Sequence, residues 1–64
     1  MKFKLKELRE IRRMSYEQLS QKSGVARSYI QRIESDDNVN PSARVLCNLA
    51  KALDVKVEML FECD

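Results

Sequence analysis

The chain has 64 residues and a mass of 7.5 kDa, room for one domain with a small core; a domain this short buries only about 60% of the surface its unfolded chain exposes. Hydrophobic residues at 44% and charged residues at 34% describe a globular chain, not a disordered one. There is no His, which removes the commonest general base and metal ligand, and no apolar run exceeds three residues, which argues against a membrane span and a secretory leader.

In chain order, residues 3–13 place Leu5, Leu8 and Arg12 on one helical face. Ser15, Tyr16, Glu17 and Gln18 have the S-x-x-Q form of a capping box, so a second helix is predicted from about Tyr16, two turns long and burying Leu19. Gly24 is expected to end it, because a tight turn between helices needs a residue that tolerates positive φ. A third helix is predicted from about Ala26 to Glu34 with Ile30 and Ile33 facing inward. The turn formers from Ser35 to Pro41 read as a loop. Ser42 is the expected N-cap of a fourth helix reaching about Leu53, with Leu46, Leu49, Ala50 and Leu53 along one stripe. After Asp54 and Val55, residues 57–61 are expected to make one last helical turn. No strand signal of substance, linker or internal repeat is present, so the fold class is all-α and residues 1–64 form one domain.

The charge is unevenly spread. Residues 1–34 carry a net +5 and residues 35–64 a net −3, which suggests a polyanion footprint on one end of the molecule. Cys47 and Cys63 are too far apart for a CxxC pair, and two cysteines cannot complete a metal site or a disulfide framework. Cys47 is expected to be a small, partly buried hydrophobe. Reduced thiols in a cytoplasmic protein without cofactor are the reading, and an enzyme is not.

Two short helices at 16–22 and 26–34 around Gly24 match a helix-turn-helix unit, motif about 16–35. The unit needs apolar Leu19, small Ser20 where the helices cross, Gly24 at the turn, then Val25, Ile30 and Ile33, all present at the right spacing. Residues 5–34 extend the match, as do Asn40, Pro41 and Ser42 leading into Leu46, Leu49, Ala50 and Leu53, then Val55, Leu60 and Phe61. Over residues 5–61 the chain resembles the Cro/repressor-type (XRE) helix-turn-helix family. The resemblance implies a compact five-helix, lambda-repressor-like domain that binds double-stranded DNA as a homodimer and controls transcription.

In such domains the second helix of the motif enters the major groove. Ala26, Arg27, Ser28, Gln31 and Arg32 are therefore the expected base contacts: Arg can donate a fork to guanine, Gln can pair with adenine, and Ala can touch a thymine methyl. Tyr16, where the family often has Gln, is a candidate phosphate contact, with Tyr29, Asn40 and Arg44. The resemblance also implies an ion pair between Arg9 and Glu34 that joins the first helix to the end of the third, a structural role. Two departures bear on affinity. Asp36 stands where the family commonly has Gly, with Asp37 after it, so carboxylates approach the phosphates and a left-handed turn is less easily made. Ala26 replaces the usual Ser or Thr cap.

A single domain makes few phosphate contacts, so a two-fold dimer with reading helices about 34 Å apart on a palindromic operator is expected. Val57, Met59 and Phe61, part of an apolar surplus near the C-terminus, are the candidate dimer contacts, whereas Leu60 is assigned to the monomer core. The alternative reading is a protein-interaction module on the same fold, in which the acidic loop recruits a protein partner. No membrane is implied. The 64 residues leave none for an effector domain, so any signal is expected to act through dimerisation, a partner or the amount of protein.

Overall fold

A computed structural model describes residues 2–36 and 38–62; Asp37, Cys63 and Asp64 lie outside the described residues, as does Met1. The elements follow as β1 (Lys2–Phe3), α1 (Leu5–Ile11), α2 (Tyr16–Ser23), α3 (Arg27–Ser35), α4 (Ala43–Leu53), a 3-10 turn at Val57–Met59, and β2 (Phe61–Glu62). The helix boundaries follow local chemistry. Ser15 accepts from the Gln18 N–H at 3.1 Å while the Gln18 side chain accepts from the Ser15 N–H at 2.9 Å, so the capping box is complete. Gly24 closes α2 at φ +74°, and its N–H donates to the Ser20 carbonyl at 2.8 Å. A Cβ there would meet nothing within 4 Å, so backbone conformation rather than space requires glycine. The Ser42 hydroxyl accepts from the Val45 N–H at 3.2 Å and opens α4.

Leu5, Leu19, Val25, Ile30, Ile33, Leu49, Ala50, Ala52, Leu53 and Leu60 make one core. α2 packs on both α3 and α4, and α1 packs on α3, so the two helices of the motif share a single apolar anchor. Each fully buried Leu or Ile contributes on the order of 1.5–3 kcal/mol relative to exposure.

Four expectations are corrected. Phe3 does not continue α1: Lys2 and Phe3 pair antiparallel with Glu62 and Phe61, and the Lys4 N–H donates to the Leu60 carbonyl at 2.7 Å. The last turn is 3-10 and stops at Met59, after which the chain becomes this short strand; four α-helices, not five, are present among the described residues. Phe3 and Phe61 explain the pairing, because both lie against the core and their backbones meet as they do so. Cys47 is exposed, not partly buried. At 3.6 residues per turn it points about 160° away from Leu49. Finally, Arg12 leaves the α1 face shared with Leu5: it caps the helix end, stays exposed, and its Nη2 donates to the Asp54 carbonyl at 3.2 Å.

Candidate nucleic-acid interface

α3 has two faces with different tasks. Ile30 is fully buried and Ile33 nearly so, which fixes the rotation of the helix. On the opposite side Ser28 and Arg32 lie one turn apart on one ridge, and Arg27 and Gln31 on the next. Ala26, Arg27, Ser28 and Arg32 are exposed and Gln31 is half-buried, so the five expected base contacts sit together on or beside the free face. Ala26 is the N-cap and supplies no side-chain hydrogen bond to the helix. Tyr29 is different: it is half-buried and packs against the core on the flank of α3.

Arg9 and Glu34 form a nearly buried pair, with side chains 11% and 4% exposed. Arg9 Nε donates to Glu34 Oε2 at 2.9 Å and Nη2 to Oε1 at 3.3 Å, a bidentate fork. Its remaining Nη1 donates to the Met14 carbonyl at 2.9 Å, so one guanidinium joins α1, the α1–α2 connection and the end of α3. Hydrogen bonding to Glu34 raises the Arg9 pKa further above its ordinary value, against the effect of burial. Among the described residues no buried side-chain N or O lacks a partner.

Tyr16 takes a place in this group that spacing did not reveal. Its hydroxyl donates to Glu34 Oε1 at 2.9 Å, and the Arg9 guanidinium carbon lies 4.1 Å from its ring centroid. The phenol has one proton to donate. In this geometry that proton is directed at Glu34, so the hydrogen bond expected to run to a phosphate has no donor here. The carboxylate acceptor is also what pushes the Tyr16 pKa above the ordinary phenol value. A second contact missed by spacing lies midway along the motif, where Ser20 Oγ donates to the Val25 carbonyl at 2.6 Å.

The loop after α3 departs from expectation. Asp36 is extended, at φ −127° and ψ 106°, instead of adopting the left-handed conformation that a Gly there would favour. Its Oδ1 accepts from the Asn38 N–H at 2.9 Å, a local turn that uses the carboxylate. Asn40 and Arg44 are exposed on either side of buried Pro41. Of the candidate dimer residues, Met59 is 47% exposed, whereas Val57 and Phe61 pack partly against the core. Met59 shares a groove with Lys4, Glu7, Leu8, Ile11 and Glu58. Ile11 is 71% exposed there.

A family model described as Helix-turn-helix matches residues 5–60. The chain is a helix-turn-helix protein of the Cro/XRE type. It is 36% identical over 59 residues to the HTH-type transcriptional regulator SinR of Bacillus subtilis (strain 168), covering 92% of this chain and 53% of that protein. SinR of Bacillus licheniformis is 37% identical over 57 residues, covering 89% and 51%. The chain thus spans about half the length of the curated relatives it matches. Among solved structures, the N-terminal DNA binding domain of SinR from Bacillus subtilis superposes with a TM-score of 0.82 at 35% identity, covering 94% of this chain and 87% of that one. The restriction-modification controller protein C.AhdI from Aeromonas hydrophila gives 0.80 at 38%, covering 89% and 85%. The helix-turn-helix unit is α2, the Gly24 turn and α3; SinR is a transcriptional regulator, and the part of it that superposes on this chain is its N-terminal DNA binding domain. No helix among the described residues is long and apolar enough to cross a membrane.

Proposed function

We propose that this helix-turn-helix domain is a cytoplasmic, sequence-specific regulator of transcription, a repressor that binds a palindromic operator in double-stranded DNA as a homodimer. The observation that carries the reading is the division of α3: Ile30 and Ile33 anchor one side, and Arg27, Ser28, Gln31 and Arg32 are left clustered on or beside the other. With α3 in the major groove, Arg27 and Arg32 offer bidentate forks to guanine, Gln31 an amide to adenine, and Ala26 a methyl to thymine. Asn40 and Arg44 reach phosphates flanking the groove, joined by Tyr29 on the α3 flank. The net +5 of residues 1–34 draws the polyanion to this end of the domain. Met59, supported by Val57 and Phe61, provides the apolar contact between two copies, and the two reading helices then fall about one DNA turn apart.

Selection of bound duplexes from a randomised DNA pool, at low salt with reductant, tests this. The expected result is an enriched palindrome with half-sites about one turn apart, lost on Arg27→Ala. Retention of DNA with no enriched sequence would refute specific recognition, and failure to retain any DNA would refute the reading entirely.

A further inference from the structure

We propose that Tyr16 is a positioning residue for the reading helix: its hydroxyl clamps the open end of the helix-turn-helix by bonding Glu34, and it does not contact DNA phosphate. The inference rests on the DNA-binding reading above and adds a residue that the resemblance assigned to another task.

The geometry of the motif explains why a clamp is needed at this place. α2 and α3 are joined covalently only at the Gly24 turn, between the last residue of α2 and the first of α3. The turn itself is tied back to α2 by Ser20 Oγ, which donates to the Val25 carbonyl at 2.6 Å. Tyr16 is the first residue of α2 and Glu34 the next to last of α3, so the 2.9 Å bond between them closes the figure at its far side. Arg9 fixes both partners at once, forking onto the Glu34 carboxylate and lying 4.1 Å from the centre of the Tyr16 ring. The ring therefore cannot swing outward without losing a cation contact as well as a hydrogen bond.

The lever involved is long enough to matter. At 1.5 Å of rise per residue, Arg32 stands about 8 Å along the helix from Arg27, its first residue. A tilt of about 8° about that end displaces Arg32 by about 1 Å, about twice the spread of hydrogen-bond distances. The core contacts of Leu19, Ile30 and Ile33 resist such tilting through non-directional packing, whereas a bond to a carboxylate that is 4% exposed fixes one geometry. Competition with phosphate also favours Glu34. Turning the single phenolic proton outward would leave a nearly buried carboxylate with one donor fewer, in exchange for a bond made in water.

Tyr16→Phe removes the hydroxyl and keeps the ring under Arg9. Two measurements are made on wild type and variant: urea unfolding without DNA, followed by circular dichroism, and affinity for the selected duplex and for an unrelated duplex at one salt concentration. The clamp predicts that Y16F lowers the folding equilibrium constant about tenfold, the low end for a hydrogen bond to a charged group. It also predicts that the ratio of specific to non-specific affinity falls about fivefold, the low end of what one mismatched base pair costs, because misplaced side chains lose base edges and keep phosphates. An equal loss of affinity for both duplexes with an unchanged urea curve would mean a phosphate contact and overturn the proposal. A loss of stability with an unchanged affinity ratio would make Tyr16 a structural residue only, and overturns it too. If wild type itself holds neither duplex, the DNA-binding reading has failed and the proposal falls with it; wild type that discriminates and a variant that does so equally well isolates the failure to the clamp.

Discussion

Replacing Glu34 by Gln tests the pair that holds α3 to the scaffold, and its effect can be worked from the contacts. The Glu34 side chain is 4% exposed and accepts three hydrogen bonds, two from Arg9 and one from Tyr16. Gln conserves the shape, removes the charge and turns an NH2 group toward donors. Arg9, itself 11% exposed and always charged, then lacks a counter-ion. Breaking one partner of a buried pair costs about 3–5 kcal/mol, and the slight exposure places this site near 3. A domain of 64 residues has only about 3–10 kcal/mol of stability in total. With a urea m-value of about 1 kcal/mol/M, the midpoint should fall by about 3 M, or the variant should be unfolded in buffer. The companion is a triple variant, Arg9→Met, Tyr16→Phe and Glu34→Leu, which removes charge and donors together and retains bulk. It should lie within about 1 kcal/mol of wild type or above it, since apolar groups of similar volume often replace a buried pair without loss. A midpoint shift below about 0.5 M for E34Q would put the pair among ordinary surface bridges and refute the argument. A triple variant as unstable as E34Q would refute it differently, by showing that shape and not unpaired charge sets the cost.

Arg13 holds a left-handed backbone at φ 56°, so Arg13→Gly should stabilise by about 0.5–1 kcal/mol after the entropic cost of glycine is subtracted, while Arg13→Val should destabilise; calorimetric Tm values decide. Glu34 raises the Tyr16 pKa above its unfolded value of about 10, so this contribution to stability is fully present below about pH 10 and is lost as pH climbs through the folded value. In a Tyr29→Phe protein, where Tyr16 is the remaining phenol, tyrosinate absorbance should therefore appear at higher pH folded than unfolded; coincident titrations would refute the hydroxyl's bond to Glu34. Arg27→Ala should cost about 1–3 kcal/mol on the selected duplex and relax preference at one base position, whereas Arg44→Ala should weaken all duplexes alike and reduce the salt slope by about 1; binding titrations across salt separate the two.

How much of this fold could be read from residues follows from the range of each interaction. The capping box at Ser15 and Gln18, the Gly24 turn and the Ser42 cap are bonds within a few residues, and each lies where its local pattern put it. The buried positions Leu19, Ile30, Ile33, Leu49, Ala50 and Leu53 repeat at helical spacing long enough to show a period. The short sheet has no such signal. Two residues cannot display an alternation, and Lys2 and Phe3 meet Phe61 and Glu62 only because the fold brings both ends over the same core. Cys47 shows a subtler failure: residue type suggested burial, but its place on α4, about 160° from Leu49, overrules type. The extended backbone at Asp36 fails in the same way, since a motif position implied a left-handed turn and the side chain's own bond to Asn38 made another one.

The interface divides along the same line. The cluster of Arg27, Ser28, Gln31 and Arg32 on α3 follows from helical geometry once Ile30 and Ile33 are placed inward, so sequence was sufficient to collect it. Tyr16 was assigned by position in a motif, and position names the neighbourhood of a side chain without naming its partner. Glu34 is 18 residues away, and nothing in the spacing of one helix says which residue of another will lie 2.9 Å from a phenol. The resemblance implied the Arg9–Glu34 pair, but only the packing of α1 and α2 against α3 decides that Met14 and Tyr16 join it. A residue at the first position of α2 can face phosphate or face inward with little change of backbone. Here the choice is set by a nearly buried carboxylate that can take another donor; the resemblance implied its pair with Arg9, but its acceptance of the Tyr16 proton is visible only in three dimensions.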